Sequence, residues 1–411
     1  MIGTVTYADM ESARFFLYNT REVGEGISEG YFKPLPSGSR KFHAAVRRKE
    51  IFMKKITVAV IGCGRIANNA HFPALEKIAE VRIKYACDIL PWKAEKAKAD
   101  FPKIEEVIAD YRIALDDPEI DAVYVLTPND MHYTITMDAL RAGKHVFCEK
   151  PVAMTGKLAE EMEACAAETG KRLMIGVCNR YHRSVEMLKD WLEAGKFGKL
   201  YHVYCSFRSF RSIPGLGGAF TDKAKSGGGV LIDWGVHFFD LILYILGMPK
   251  IETVTCDTYS EMAKDMKSYR YKSMWAEDTA DIEHGTNDVD DFVTGYIRTE
   301  RASISFNGAW AQNIGEEEMF IDFLGDKGGA RLTYGGKFTY WNGETLESVT
   351  PEYDIPPMHT EEDKAFISSL LRGESTRSDI PHVMESERLL DALYLSAKEK
   401  REIDMDGGKK Q

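Results

Sequence analysis

Paired cysteines are missing from this sequence. Its seven cysteines (Cys63, Cys87, Cys148, Cys165, Cys178, Cys205, Cys256) are odd in number and scattered, with no CxxC, a usage of reduced thiols rather than of a disulfide framework or a zinc site. An excess of positive charge is missing too. The formal net charge of -11 argues against nucleic acid as a partner, because that affinity comes from clustered Lys and Arg releasing counterions. No uninterrupted apolar run approaches the ~20 residues that span a bilayer. The first twenty residues, with Asp9 and Glu11 among them, lack the layout of a signal peptide. A cytoplasmic protein with neither a membrane nor a nucleic-acid partner is expected.

What is present is a folded core: 44% of the 411 residues are hydrophobic and 28% charged. A single core stops growing at about 250–300 residues, so at least two domains are expected. Residues 1–52 read differently from the rest, with Gly, Ser and Pro interruptions, a basic stretch over 40–49 and no sustained period. They are expected to be poorly ordered, with Met53 as the natural start. Residues 53–178 alternate apolar strand runs (56–61, 81–87, 106–109, 122–126, 145–148, 173–177) with helical patterns (66–79, 91–101, 131–142, 158–168). That alternation predicts an α/β domain with a helix-covered parallel sheet. Residues 179–405 hold strand-like runs at 200–210, 251–258, 292–299, 302–306 and 319–323. They close with helical patterns at 361–371 and 383–398, and the polar 260–290 stretch reads as a loop or lid.

The first strand runs into Gly62-Cys63-Gly64-Arg65-Ile66-Ala67. In such a GxGxxA turn one glycine permits the tight turn and the next lets backbone approach a pyrophosphate. The small third residue lets helix and strand pack closely. Asp88 ends the second strand, where a carboxylate can accept ribose hydroxyls and would repel a 2'-phosphate. NAD is therefore expected over NADP, although Lys93 lies near in sequence; an ordinary strand-end or helix-capping residue is the lesser alternative for Asp88.

Three further segments narrow the reading: Thr127-Pro128-Asn129-Asp130-Met131-His132, the stretch 142–151 ending in Glu149-Lys150-Pro151, and 227–240, which reads GGGVLIDWGVHFFD. With the glycine turn, they make the chain resemble the glucose-fructose oxidoreductase, inositol dehydrogenase and rhizopine-catabolism family of NAD(P)-dependent oxidoreductases over about 53–403. The resemblance implies a Rossmann domain followed by an α+β domain with a large, mainly antiparallel open sheet. The face of that sheet often serves oligomer contacts, so a homodimer or homotetramer is expected. Hydride transfer between nicotinamide and a carbinol carbon of a sugar, polyol or related cyclic alcohol is the implied activity. A redox-type NAD-dependent glycosidase and a non-catalytic cofactor-binding regulator are the alternatives, because fold alone does not fix function.

The resemblance assigns catalysis to Lys150, Asp233 and His237. Lys150 follows a strand at the carboxyl edge of the sheet, where open α/β sheets bind ligands, and an ammonium there can hydrogen-bond the substrate oxygen. Asp233 and His237 are spaced i, i+4, which places them on one face of a helix starting near residue 232. His237, with an ordinary value near 6.5, suits a general base, and Asp233 suits a neighbouring hydroxyl. The three glycines upstream are expected to let the chain approach cofactor or sugar. Asp240 adds a possible third ligand to Asp233 and His237, but a metal is not expected, since no second His or Cys lies near. Cofactor contacts are expected from Gly62, Gly64, Arg65, Ile66, Asp88, Thr127, Pro128, Asn129, His132, Glu149 and Lys150, and substrate contacts from Tyr181, Asp233, Trp234 and His237. Arg208 and Arg211 are weaker candidates for the sugar pocket.

Overall fold

A computed structural model describes residues 55–405, so the expectations placed on residues 1–52, the start at Met53 included, lie outside the described residues. The first half builds a six-stranded parallel sheet from β1 (Ile56–Ile61), β2 (Val81–Cys87), β3 (Ile104–Ile108), β4 (Ala122–Val125), β5 (His145–Glu149) and β6 (Leu173–Gly176). All six residues of β1 are buried, as expected of a central parallel strand covered on both faces. The spatial order is β3-β2-β1-β4-β5-β6. Strand order reverses between β1 and β4, and ligands of open α/β sheets bind outside the carboxyl ends at such a switch point.

The second sheet has nine strands: β7 (Leu200–Arg208), β8 (Ile251–Tyr259), β9 (Phe292–Thr299), β10 (Ser303–Ala309), β11 (Glu318–Gly325), β12 (Gly328–Thr333), β13 (Phe338–Asn342), β14 (Ser348–Val349) and β15 (Ile403–Asp404). They run in the order β14-β13-β12-β11-β7-β10-β9-β8-β15, with β7 and β10 parallel and the other neighbours antiparallel. Alternation in β7 buries Val203, Cys205 and Phe207 under helices and turns His202, Tyr204 and Arg208 outward. The sequence pattern misses β12 and β13: two glycines open the first, and the second is only five residues long. It also misses the helix Arg183–Glu193, whose buried Val185, Leu188 and Leu192 fall at helical spacing. Residues Lys223–Ile245 are apolar and long enough by composition to cross a membrane, and 83% of an 18-residue apolar stretch within them is buried in this core.

Two helices contain a π turn, Ala67–His71 after the glycine turn and Leu231–Gly235 ahead of the helix Val236–Ile245. The helix Met358–Arg372, late in the chain, returns to the first sheet, where Phe366 and Ile367 share a core cluster with Val58, Val60, Phe72 and Tyr124. Between 260 and 290 the chain is irregular apart from the short turn Glu277–Thr279 and a bridge from Gly217 to Thr286.

Candidate active site

The glycine turn leaves β1 with Gly62 at φ +97°, and Gly62 N donates to Cys87 O at 2.8 Å. A carbon added at Gly64 would meet nothing within 4 Å, so the surroundings leave that backbone open toward the sheet edge. Ala67 is fully buried against the sheet. Asp88 accepts from Cys63 N at 3.0 Å with one carboxylate oxygen and from Leu90 N at 2.9 Å with the other. It therefore ties the turn to β2 and closes a tight turn ahead of the next helix, while the remaining lone pairs stay available to a ribose. Arg65 is exposed and lies 3.7 Å from Asp278 of the irregular stretch, and half-buried Ile66 packs on the core beneath. Thr127 keeps a buried hydroxyl with no partner among the described residues, a group that a ribose or carboxamide would satisfy. The open Gly64 backbone, Asp88 and the unpartnered Thr127 fit a dinucleotide. Pro128 is exposed beside them, and Asn129 Nδ2 donates to Ser226 O at 2.9 Å.

Two segments distant in sequence, one carrying Lys150 and the other Asp233 and His237, meet at the carboxyl edge. Lys150 Nζ lies 3.1 Å from Asp233 Oδ1 and 3.2 Å from Asp233 O. The other carboxylate oxygen, Asp233 Oδ2, is buried without a partner among the described residues. Buried polar atoms are nearly always paired, so this oxygen is a place for a donor from a bound molecule. His237 follows on the same helix, and Asn179 Nδ2 approaches its Nδ1 at 3.4 Å. Burial, and after it the Lys150 charge, hold the His237 imidazole well below its ordinary 6.5, so the expectation of an unperturbed base is corrected. The ring is neutral at pH 7 and able to accept a proton there.

The π turn replaces the regular helix expected from residue 232. Four residues of such a wider turn still come within about 30–40° of a full circle, so Asp233 and His237 stay on one side. The glycines upstream approach protein rather than leaving room for ligand: an added carbon would strike Tyr394 at Gly228 and Asp290 at Gly229. Asp290, which sequence reading misses, accepts from Gly229 N at 2.8 Å, Leu231 N at 2.9 Å and Tyr394 OH at 2.9 Å. It caps the segment that carries Asp233 and His237.

Tyr181 is turned away from this cluster. It is 5% exposed, its hydroxyl is 2.8 Å from Ser378 Oγ, and Arg377 lies 4.8 Å above its ring. Its neighbour Asn179 takes the position, reaching Tyr334 OH at 3.2 Å as well as His237. Tyr334, whose ring centre lies 6.5 Å from that of His237, carried no sequence signal. His132 has both ring nitrogens against backbone carbonyls, Pro151 O at 2.8 Å and Thr127 O at 2.9 Å, so it can serve a coenzyme only through the loop it pins. Glu149 points inward, to His71. Asp240 is spent on Arg180, at 2.8 and 2.6 Å with both partners 1% exposed. Arg208 is held by Glu318, Arg211 lies 5.1 Å over the Tyr269 ring, and Trp234 packs half-buried against the second core.

A glycine turn at a switch point, an acid at the end of β2, and a lysine, carboxylate and imidazole gathered at the same edge define a nicotinamide-dependent oxidoreductase. Comparison with known proteins agrees. Residues 56–177 match the oxidoreductase family with the NAD-binding Rossmann fold, and residues 185–331 match the GFO/IDH/MocA C-terminal domain. The chain belongs to the GFO/IDH/MocA family of NAD-binding oxidoreductases. It is 30% identical to the D-glucoside 3-dehydrogenase of Escherichia coli K12 over 352 residues, which span 85% of this chain and 97% of that protein. It is also 30% identical to a scyllo-inositol 2-dehydrogenase (NADP(+)) of Bacillus subtilis over 209 residues, 51% of this chain and 57% of that one. Among solved structures, levoglucosan dehydrogenase in complex with NADH and levoglucosan superimposes with a TM-score of 0.73 at 21% identity, covering 86% of this chain and all of that one. That likeness is one of fold.

Proposed function

We propose that this oxidoreductase acts on a secondary hydroxyl of a sugar, glycoside or cyclic polyol, with Lys150, Asp233 and His237 as its catalytic residues. The observation that carries the reading is the Lys150 ammonium on Asp233 with the second carboxylate oxygen unpaired beside it. That oxygen accepts from a hydroxyl next to the reacting one, and Lys150 donates to the reacting oxygen, holding charge as it develops. His237, neutral at pH 7, takes the hydroxyl proton. When bound, the nicotinamide accepts or supplies the hydride. Gly64, Thr127 and Asp88 are the coenzyme contacts, and Asp88 favours NAD. The named activities of the glucoside and inositol relatives support the substrate class.

The outward face of the second sheet, with Tyr204, Tyr296, Phe320 and Trp341 partly or largely exposed, supports a homo-oligomer formed through it. Seven unpaired, buried cysteines suit a reducing, cytoplasmic setting. The test is NADH absorbance with a panel of glycosides, inositols and anhydrosugars, run beside Lys150→Ala and His237→Ala. Losses of about 10²–10⁴ in kcat are expected for both; wild-type turnover in both would overturn the assignment.

A further inference from the structure

Behind the lysine lies a buried cluster that the chemistry just described does not use. His71, in the π turn that follows the glycine turn, is completely buried. Its Nε2 is 3.1 Å from Glu149 Oε1, and its Nδ1 is 3.0 and 3.2 Å from the two oxygens of Asp363. A neutral imidazole has one N–H. With both ring nitrogens against carboxyl oxygens, only the doubly protonated ring donates on both sides. The second oxygen of Glu149 accepts from the backbone N–H of Lys150 at 3.0 Å. Gly176 on β6 makes room, since a carbon added there would lie 2.8 Å from Glu149 Oε1. Three segments far apart in sequence are thereby joined: the helix that opens at the glycine turn, the strand end that presents Lys150, and the helix Met358–Arg372.

We propose that His71, clamped between Asp363 and Glu149, is a positioning residue for hydride transfer: it locks the Lys150 backbone to the coenzyme-binding helix and so holds the ammonium on Asp233. The proposal rests on the role assigned to Lys150. The surroundings agree with it. Burial alone would lower the His71 imidazole, but Asp363 and Glu149 together hold it well above 6.5. Burial raises both carboxyls, but His71 brings Glu149 down to about 2, whereas at Asp363 burial outweighs His71 and leaves the carboxyl above its ordinary value. The other groups facing the ring leave that charge in place. His359 lies edge-on at 5.9 Å and is pushed down to about 4 by burial and by His71, Tyr124 lies at 5.8 Å, and Glu362 is kept protonated by burial. Freezing a catalytic group in place is worth much of a rate enhancement. A lysine whose backbone moves with the coenzyme's own helix keeps its distance to the nicotinamide when the protein breathes.

Two readouts need neither substrate nor coenzyme. In histidine-15N-labelled protein at pH 8, one ring should show both nitrogens protonated and should vanish in His71→Gln. In Asp363→Asn, which keeps an oxygen for Nδ1, amide hydrogen exchange at Lys150 should speed up by 10-fold or more. With the fastest-turned-over alcohol among methyl β-D-glucoside, myo-inositol and levoglucosan, Asp363→Asn and His71→Gln should lower kcat about 10- to 100-fold. KM and the NADH dissociation constant should stay within about 3-fold, and the deuterium isotope effect on kcat should rise. A purely structural role would lower thermal stability and leave kcat per folded site and the isotope effect unchanged, and that result would overturn the proposal, as would a neutral His71 at pH 8. Lys150→Ala separates the two ideas: full turnover in that variant refutes the lysine's role, whereas a dead Lys150→Ala beside unimpaired His71→Gln and Asp363→Asn refutes the clamp alone.

Discussion

Alanine at each of the two turn glycines should separate folding from coenzyme binding. Gly62 sits at φ +97°, and a carbon added to it would lie 2.5 Å from Leu126 O. A side chain held in a sparsely populated backbone conformation costs about 1–3 kcal/mol, and overfilling a packed interior adds about 1–3 kcal/mol. Gly62→Ala should therefore lose about 2–6 kcal/mol of stability. Gly64 has neither handicap: nothing lies within 4 Å of the added carbon, so Gly64→Ala should fold with stability within about 0.5 kcal/mol of the parent. On the proposed coenzyme contact at Gly64, a pyrophosphate would take this open space at the helix N-terminus, and a methyl group in it would displace an anion from backbone N–H donors. One such charge-assisted bond is worth about 1.5–3 kcal/mol, so NADH should bind roughly 10- to 100-fold more weakly. Urea unfolding measures the first effect and titration of NADH fluorescence the second. Equal destabilisation by the two variants, or undiminished NADH affinity in Gly64→Ala, would refute the idea that Gly64 is kept clear for coenzyme.

Three other outcomes are expected. Arg180→Met strands the Asp240 carboxylate, which is 1% exposed, and should cost about 3–5 kcal/mol in chemical denaturation, while Arg180→Met with Asp240→Leu should regain most of it. Because His237 is held well below 6.5, its proton-accepting form persists into mild acid, and the acid limb of kcat/KM should fall below pH 6.5; a limb at or above that value contradicts its role. Glu387 accepts from Val152 N at 3.1 Å, and burial pushes its carboxyl up to about 8. The folded chain thus keeps a proton that the unfolded chain releases above about 4.3. Between those values stability falls as pH rises, so Glu387→Gln should be more stable than the parent by a few kcal/mol at pH 8 and nearly equal to it at pH 4, as read by urea denaturation at both.

The first sheet was legible because buried parallel strands announce themselves as apolar runs between glycine-rich turns, and five of its six strands stand within a residue or so of the expected spans. β3 was the weak one, since Glu105 and Glu106 interrupt its pattern and only Ile104 is buried. In the candidate site, Lys150, Asp233 and His237 were singled out by the family resemblance, with a strand end and a four-residue spacing to place them. Asn179 could not be told from Tyr181, because the short 3-10 turn Cys178–Tyr181 decides which side chain faces the cleft, and neither helical nor strand periodicity describes it. The glycines at 228 and 229 were given to the ligand because sequence does not show Asp290 and Tyr394 coming to meet them. His71 and Asp363 are 292 residues apart, and no local spacing links them.

The two π turns place His71 and Asp233 at points where the helix carries one residue more than regular winding needs. Surplus of that kind can be lost. Deleting a single codon in either turn would let the chain close into an unbroken α-helix and, because the wide turn takes up its extra residue within itself, leave everything beyond it close to its present orientation. At the second turn, losing Asp233 itself would leave the scaffold and the imidazole beyond it nearly in place but remove the carboxylate that Lys150 meets, so one mutational step would separate an enzyme of this design from a mute receptor for the same dinucleotide.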